Sequence, residues 1–192
     1  MSETQDRRGR RWEETHQRIY ATAMDLFEEH GFEQVSVGQI VEGAGVSVPT
    51  FYAHYPSKEH LVMQLPTAEE MNALLAGQSP ERPVAERIRA AMPLWFSSWD
   101  AGFREAQLAR WKVIAGTPAL RMRAAEFERA TAGMVVNAMP ARPGTTLSPA
   151  DQVVVNAYLS AFTLGMLAWA DCNGEHKLEE LIDEAFDALQ QH

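Results

Sequence analysis

Between Ser36 and Pro56 the chain reads SVGQIVEGAGVSVPTFYAHYP, and the order of its helix-starting and helix-stopping residues leaves the backbone little freedom. Ser36 can act as an N-cap, its hydroxyl accepting the otherwise free amide of Gln39, and Gly43-Ala44-Gly45 ends the same helix. Ser47 offers a second N-cap, and Pro49 is tolerated because first-turn amides have no intrahelical acceptor. Pro56 then disfavours helical dihedrals at Tyr55 and keeps this second helix short. Ile40 would be buried on the inner face of the first helix, and Val46 would pack inward just after the turn.

Upstream, Ile19, Ala23, Leu26 and Phe27 recur at i, i+4, i+7 and i+8, which predicts a longer helix over 12–30 that stops at Gly31. Two short helices across a glycine turn, braced by a longer one, make a helix-turn-helix. Its second helix enters the major groove of DNA with its N-terminal residues toward the bases. This explains a segment that burial alone would not choose, since residues 45–61 hold two prolines, two tyrosines, a phenylalanine and two histidines. Phe51 becomes an apolar anchor and Tyr55 a core aromatic, while Tyr52 and His54 present polar tips to phosphate oxygens. Pro49 and Thr50 would offer apolar and hydroxyl contacts to base edges. Ser57-Lys58 opens the next helix, where free amides and an ammonium group can hold another phosphate.

The net charge of −9 argues against a protein that coats nucleic acid nonspecifically. Even residues 1–60 set six cations against ten acidic residues, so DNA binding must come from local placement of charge. Four of those six cations, Arg7, Arg8, Arg10 and Arg11, form a basic N-terminal arm over residues 1–11, ahead of the first helix.

The runs Ser36-Val37-Gly38-Gln39-Ile40-Val41-Glu42-Gly43-Ala44-Gly45-Val46-Ser47 and Thr50-Phe51-Tyr52-Ala53-His54-Tyr55-Pro56-Ser57-Lys58-Glu59 resemble the signature of TetR-family transcriptional regulators, continuously from about Ile19 to Leu61. The resemblance implies an all-α chain, with a three-helix DNA-binding domain over 12–60 and a helical ligand-binding and dimerisation domain over 61–192. It further implies a dimer that binds a palindromic operator and releases it when a small molecule binds. Carried across by position, the phosphate contacts fall on Tyr52, His54 and Lys58, with Ser36 at the start of the second helix. The base-facing positions fall on Ser47, Val48, Pro49 and Thr50. Where many members carry an arginine or lysine near the start of the recognition helix, this chain has Val48-Pro49, which shifts specificity toward apolar contacts, the arginine arm and DNA shape.

The helix that begins at Ser57 meets Pro66, which should kink or end it; both a hinge and a plain boundary remain open. Residues 77–83 (GQSPERP) read as a loop. Further helices are predicted at about 83–100, 103–115, 117–139, 149–172 and 177–190. Pro93 falls inside the first of these beside Trp95, Phe96 and Trp99, where a bend and freed carbonyls can open space between helices. An apolar pocket is expected there, lined also by Trp111, Phe127 and Met134. The stretch from Arg104 to Ala130 is similar to TetR regulators with an acyl-CoA-like ligand-binding domain, which implies a fatty-acyl or long apolar effector, with Arg110, Arg121 or Arg123 available to an anionic group. Small residues at Ala157, Ala161 and Gly165 permit close helix approach, and in the resembling family the last two helices, over about 149–190, pair with their two-fold mates.

No Ser-His-Asp order, metal-spaced histidines, paired cysteines or phosphate-cradling loop stands out, so no enzyme activity, cofactor or metal is expected. The single cysteine, Cys172, and the lack of an apolar leader fit a cytoplasmic protein. The apolar run 157–170 is too short to span a bilayer. A helical carrier or sensor of hydrophobic molecules without specific operator binding is the alternative to a regulator.

Overall fold

The computed structural model describes residues 3–140 and 146–190, with side chains from residue 7 onward, and among them the regular structure is helical. Two compact units divide the chain, Met1–Gln64 and Leu65–His192.

The first unit contains α1 (Glu3–His30), a 3₁₀ turn (Phe32–Gln34), α2 (Val37–Ala44), α3 (Val48–His54) and α4 (Glu59–Val62). The caps are those the sequence encodes. Ser36 accepts the Gln39 amide at 3.2 Å while the Gln39 side chain accepts the Ser36 amide at 2.9 Å, a reciprocal capping box. Gly45 closes α2 in the left-handed region at φ 62°, where a side chain would be strained. A Cβ on Gly43 would lie 2.8 Å from Thr22 Cγ2, so this glycine lets α2 approach α1. Ile19, Ala23, Ile40, Phe51 and Leu61 are completely buried and hold the helices together.

Two boundaries differ from the sequence reading. The first helix starts at Glu3 rather than near Trp12, so Arg7, Arg8, Arg10 and Arg11 lie on helical turns instead of in an arm ahead of the helix. Nothing in that stretch breaks a helix, Gly9 alone being a weak former. The helix expected to reach Pro66 ends at Val62, the residue whose carbonyl a helical Pro66 ring would strike. No helical segment is left for Pro66 to kink.

The second unit contains α5 (Ala68–Leu75), α6 (Val84–Ser97), α7 (Ala101–Gly116), α8 (Pro118–Ala138), α9 (Pro149–Asp171) and α10 (Leu178–Ala188). The sequence reading missed α5, although Thr67 and Glu70 form its capping box. Helix α9 is the central element, packed on α6, α7, α8 and α10 and burying Val155, Tyr158, Ala161, Met166 and Trp169. With 23 residues it is longer than the apolar run read from sequence and long enough to cross a bilayer, yet these buried side chains make it the core helix of the unit.

Two of the small residues of α9, Ala161 and Gly165, face inward. A Cβ on Gly165 would sit 2.5 Å from Ile182 Cδ1 and 3.3 Å from Ile182 Cα, so Gly165 lets α10 approach α9 within one chain. Ala161 is likewise in the core. The faces left open on α9 carry Val153 and Leu164, 68% and 64% exposed.

Candidate nucleic-acid interface

Helix α3 has two distinct faces. Phe51 and Tyr55 point inward at 0% and 3% exposure, whereas Val48 and Tyr52 are 44% and 52% exposed beside the exposed Ser47 and Pro49. Ser47 Oγ accepts the Thr50 amide at 3.2 Å and shares a 2.8 Å hydrogen bond with Thr50 Oγ1, so both hydroxyls serve the cap at the start of α3. Ser36, exposed at the start of α2, is held the same way by Gln39. The structure thus leaves Val48, Pro49 and Tyr52 on the exposed side of α3, with Ser47 and the half-buried Thr50 joined in its cap.

His54 and Lys58 are placed differently from a free phosphate donor. The Lys58 ammonium donates to the Phe32 carbonyl at 2.7 Å and the Val35 carbonyl at 2.8 Å, and lies 4.2 Å from the Phe32 ring centroid. The carbonyls of the 3₁₀ turn and the strand-like residue after it need donors, and a long cationic side chain supplies them. Burial lowers its pKa, against the opposing effects of Glu59 and Glu33. Lys58→Ala should therefore lower the thermal stability of this unit by about 1–3 kcal/mol, the cost of orphaning buried acceptors, and leave the salt dependence of DNA binding unchanged. A reduced salt slope with unchanged stability would contradict this assignment.

His54 belongs to an aromatic stack that joins α3 to α1. Trp12 lies 4.9 Å from the His16 ring and 4.7 Å from His54; His16 lies 5.6 Å from His54 and stacks on Tyr55 at 4.3 Å. The Tyr55 hydroxyl donates to the His16 carbonyl at 3.2 Å. From α1, Arg18 Nε donates to the Ala44 carbonyl at 2.9 Å and holds the end of α2. Trp12, His16 and Arg18 were missed from sequence; the signal was a Trp-His pair at i, i+4 outside the apolar stripe.

The Nδ1 atoms of His16 and His54 are buried without a hydrogen-bond partner. Both pKa values are lowered from 6.5, chiefly by burial; Glu13 opposes this for both, and His54 adds to it for His16. Burial also pushes the Tyr55 phenol up. Because the folded values lie below the unfolded one, the contribution of the neutral rings is complete above about pH 6.5 and is lost as pH falls through the folded values. The melting temperature of the chain should fall on acidification across that window, and His16→Phe, which keeps a stacking ring, should flatten the dependence. An unchanged pH profile in that variant would contradict a role for the stack.

In the second unit Trp95, Phe96 and Trp99 form one cluster. Trp95 and Phe96 lie 5.0 and 5.4 Å from Trp99, Phe103 lies 5.2 Å from Trp99, and Phe162 lies 5.4 Å from Trp95. Trp111 and Met134 pack against the same core. Phe127, half-buried on α8, is outside that core cluster. The arginines considered for an anion are engaged: Arg121 donates to both Asp171 oxygens at 2.5 and 2.6 Å, Arg123 pairs with Glu126 at 3.7 Å, and Arg110 has a partner as well.

A two-faced helix set on a capped glycine turn, with a second helix and a long brace behind it, defines a DNA-binding protein of the helix-turn-helix class. Residues 19–65 match the tetR family of bacterial regulatory proteins, and residues 82–192 match the MftR C-terminal domain. The chain belongs to the TetR family of transcriptional regulators. It is 30% identical to the HTH-type transcriptional regulator EthR of Mycolicibacterium smegmatis over 143 residues, covering 70% of this chain and 62% of that protein. It is also 30% identical over 123 residues to the putative mycofactocin biosynthesis transcriptional regulator MftR of Mycobacterium tuberculosis, covering 61% and 60%. The chain thus spans less than two thirds of either relative. Among solved structures it is similar in fold to Thermus thermophilus FadR, a TetR-family repressor in complex with lauroyl-CoA, with TM-score 0.52, 20% identity and coverage of 91% and 93%. These relatives are named as transcriptional regulators, and the family is not enzymatic.

Proposed function

We propose that the chain is a cytoplasmic, ligand-responsive repressor that binds a palindromic operator as a homodimer and is released by a small hydrophobic or acyl-type effector. The observation that carries the reading is the outward face of α3, where Val48, Pro49 and Tyr52 are exposed on a helix whose inner face is locked by Phe51. Val48 and Pro49 offer apolar contact to thymine methyl groups, and Tyr52 offers a hydroxyl to a phosphate.

The dimer would use α9 and α10. Val153 and Leu164 stand about three turns apart on one side of α9, and Leu189 is exposed at the end of α10. Apolar side chains this exposed on a core helix suit a self-complementary interface with a second copy. The double substitution Val153→Glu and Leu164→Glu should give a folded monomer in sedimentation, because an interface core cannot bury unpaired carboxylates. A dimer of wild-type stability would contradict this interface.

The effector would enter the aromatic cluster around Trp99. FadR of Thermus thermophilus, which shares the fold, holds lauroyl-CoA, and this supports a ligand with a long apolar chain. A mobility-shift titration with DNA from upstream of the chain's own gene, with and without acyl esters, tests the whole reading. Release of bound DNA by such a compound supports it, and binding indifferent to every apolar compound would remove the effector part.

A further inference from the structure

The indole N–H groups of Trp99 and Trp111 are both buried and have no hydrogen-bond partner. Trp99 is 8% exposed and belongs to the main core cluster, against which Trp111 also packs. An indole nitrogen only donates, and a buried donor left unpaired costs about 1–3 kcal/mol, so folded chains keep few of them. The neighbours of Trp99 explain why it is unpaired: Trp95, Phe96 and Phe103 offer ring surfaces and no acceptor atom.

Charge at this place is already matched. The Arg104 guanidinium stands 5.7 Å from the Trp99 ring and donates to Glu179 at 2.6 Å, which holds the Glu179 carboxyl below its usual range despite the opposing effect of burial. Arg89 is likewise held by Asp187 at 2.8 Å, and Arg121 by Asp171. Arg87, fully buried and bonded to the Pro140 carbonyl at 2.6 Å, lies on α6 about 18 Å from the Trp99 end, counted along the helix axis. An anionic head at Trp99 would find Arg104 already paired and would lie near Glu179, whereas a neutral oxygen would meet an indole donor in need of it.

The geometry points to an effector that carries a neutral carbonyl-type oxygen, as in an ester, ketone, amide or lactone, to which the indole N–H of Trp99 donates within its cluster of rings, with the Trp111 N–H a second unmatched donor on the same core. This rests on the effector site proposed above and narrows its chemistry: the tryptophans supply polar recognition as well as apolar surface, and the charge of the ligand, if any, lies away from them.

The test is a titration of the full chain, labelled at tryptophan, with dodecane, methyl laurate, laurate and lauroyl-coenzyme A, followed by the indole N–H resonances and by fluorescence quenching. Methyl laurate should bind about tenfold or more tightly than dodecane and should move the Trp99 and Trp111 N–H resonances, as one or two new hydrogen bonds require. Trp99→Phe and Trp111→Phe, which keep an aromatic ring and remove the donor, should bring the ester down to the affinity of the alkane. The wild-type resonances answer the question even if a variant fails to fold. Equal affinity for ester and alkane, with the N–H resonances unmoved, would overturn the acceptor role while leaving the effector site standing. A laurate carboxylate that moves the same resonances and binds more tightly than the ester would overturn neutrality. Binding of none of the four probes would remove the effector site itself, and this inference with it.

Discussion

Phe51→Ala should unfold the DNA-binding unit at physiological temperature. Phe51 is completely buried on the inner face of α3, with its ring 5.3 Å from Tyr52 and 6.0 Å from Tyr55. Truncating a buried phenylalanine to alanine costs about 3–5 kcal/mol, and small domains hold only about 5–15 kcal/mol in all. A unit whose core is shared among three short helices and one long one has little to spare. Limited proteolysis should cut within the first 64 residues and leave a resistant fragment beginning near Leu65. A variant that melts with the wild type and resists proteolysis would show that Phe51 does not anchor α3.

The opposite kind of change should leave the fold intact and abolish DNA binding. Val48 is 44% exposed and is the first residue of α3. A glutamate there is tolerated by the helix, since a carboxylate in the first turn interacts favourably with the free amides. It would nevertheless face the phosphates of any duplex laid against α3, and like charges brought together at an interface cost several kcal/mol. Val48→Glu should therefore weaken operator binding about 100-fold or more, equivalent to about 3 kcal/mol, with an unchanged circular dichroism spectrum and melting temperature. Wild-type affinity in a folded Val48→Glu protein would mean that another surface binds DNA.

The parts of the chain that could be read in advance are those whose geometry is decided by local chemistry. Ser36, Gly45, Ser47 and Pro56 each set a cap or a stop without help from distant residues, so α2, the turn and α3 fell where the sequence placed them. Lys58 shows what sequence leaves open, because the carbonyls of Phe32 and Val35 that capture its ammonium lie 26 and 23 residues away. Trp12 and His16 were hidden for the same reason, their partners being His54 and Tyr55 on another helix. Helix α9 poses a different problem. It is apolar almost all round, so periodicity could not tell its core face from its open one, and only the packing shows that the close approach Gly165 permits is to α10 of the same chain. Near Trp99 the residue types were legible, but the orphaned indole donors emerge only from three-dimensional packing.

In the proposed function the outer face of α3 reads a specific two-fold symmetric DNA sequence. Selection of DNA from a random pool by the purified full chain, with sequencing of the retained duplexes, tests it most directly. The expected result is enrichment of one inverted repeat, with half-sites spaced for a dimer and with base preferences that change when Val48 or Thr50 is substituted. Retention of DNA without an enriched repeat, or no retention at all by a folded chain that still binds apolar ligands, would contradict the account and make the protein a carrier or sensor of hydrophobic molecules.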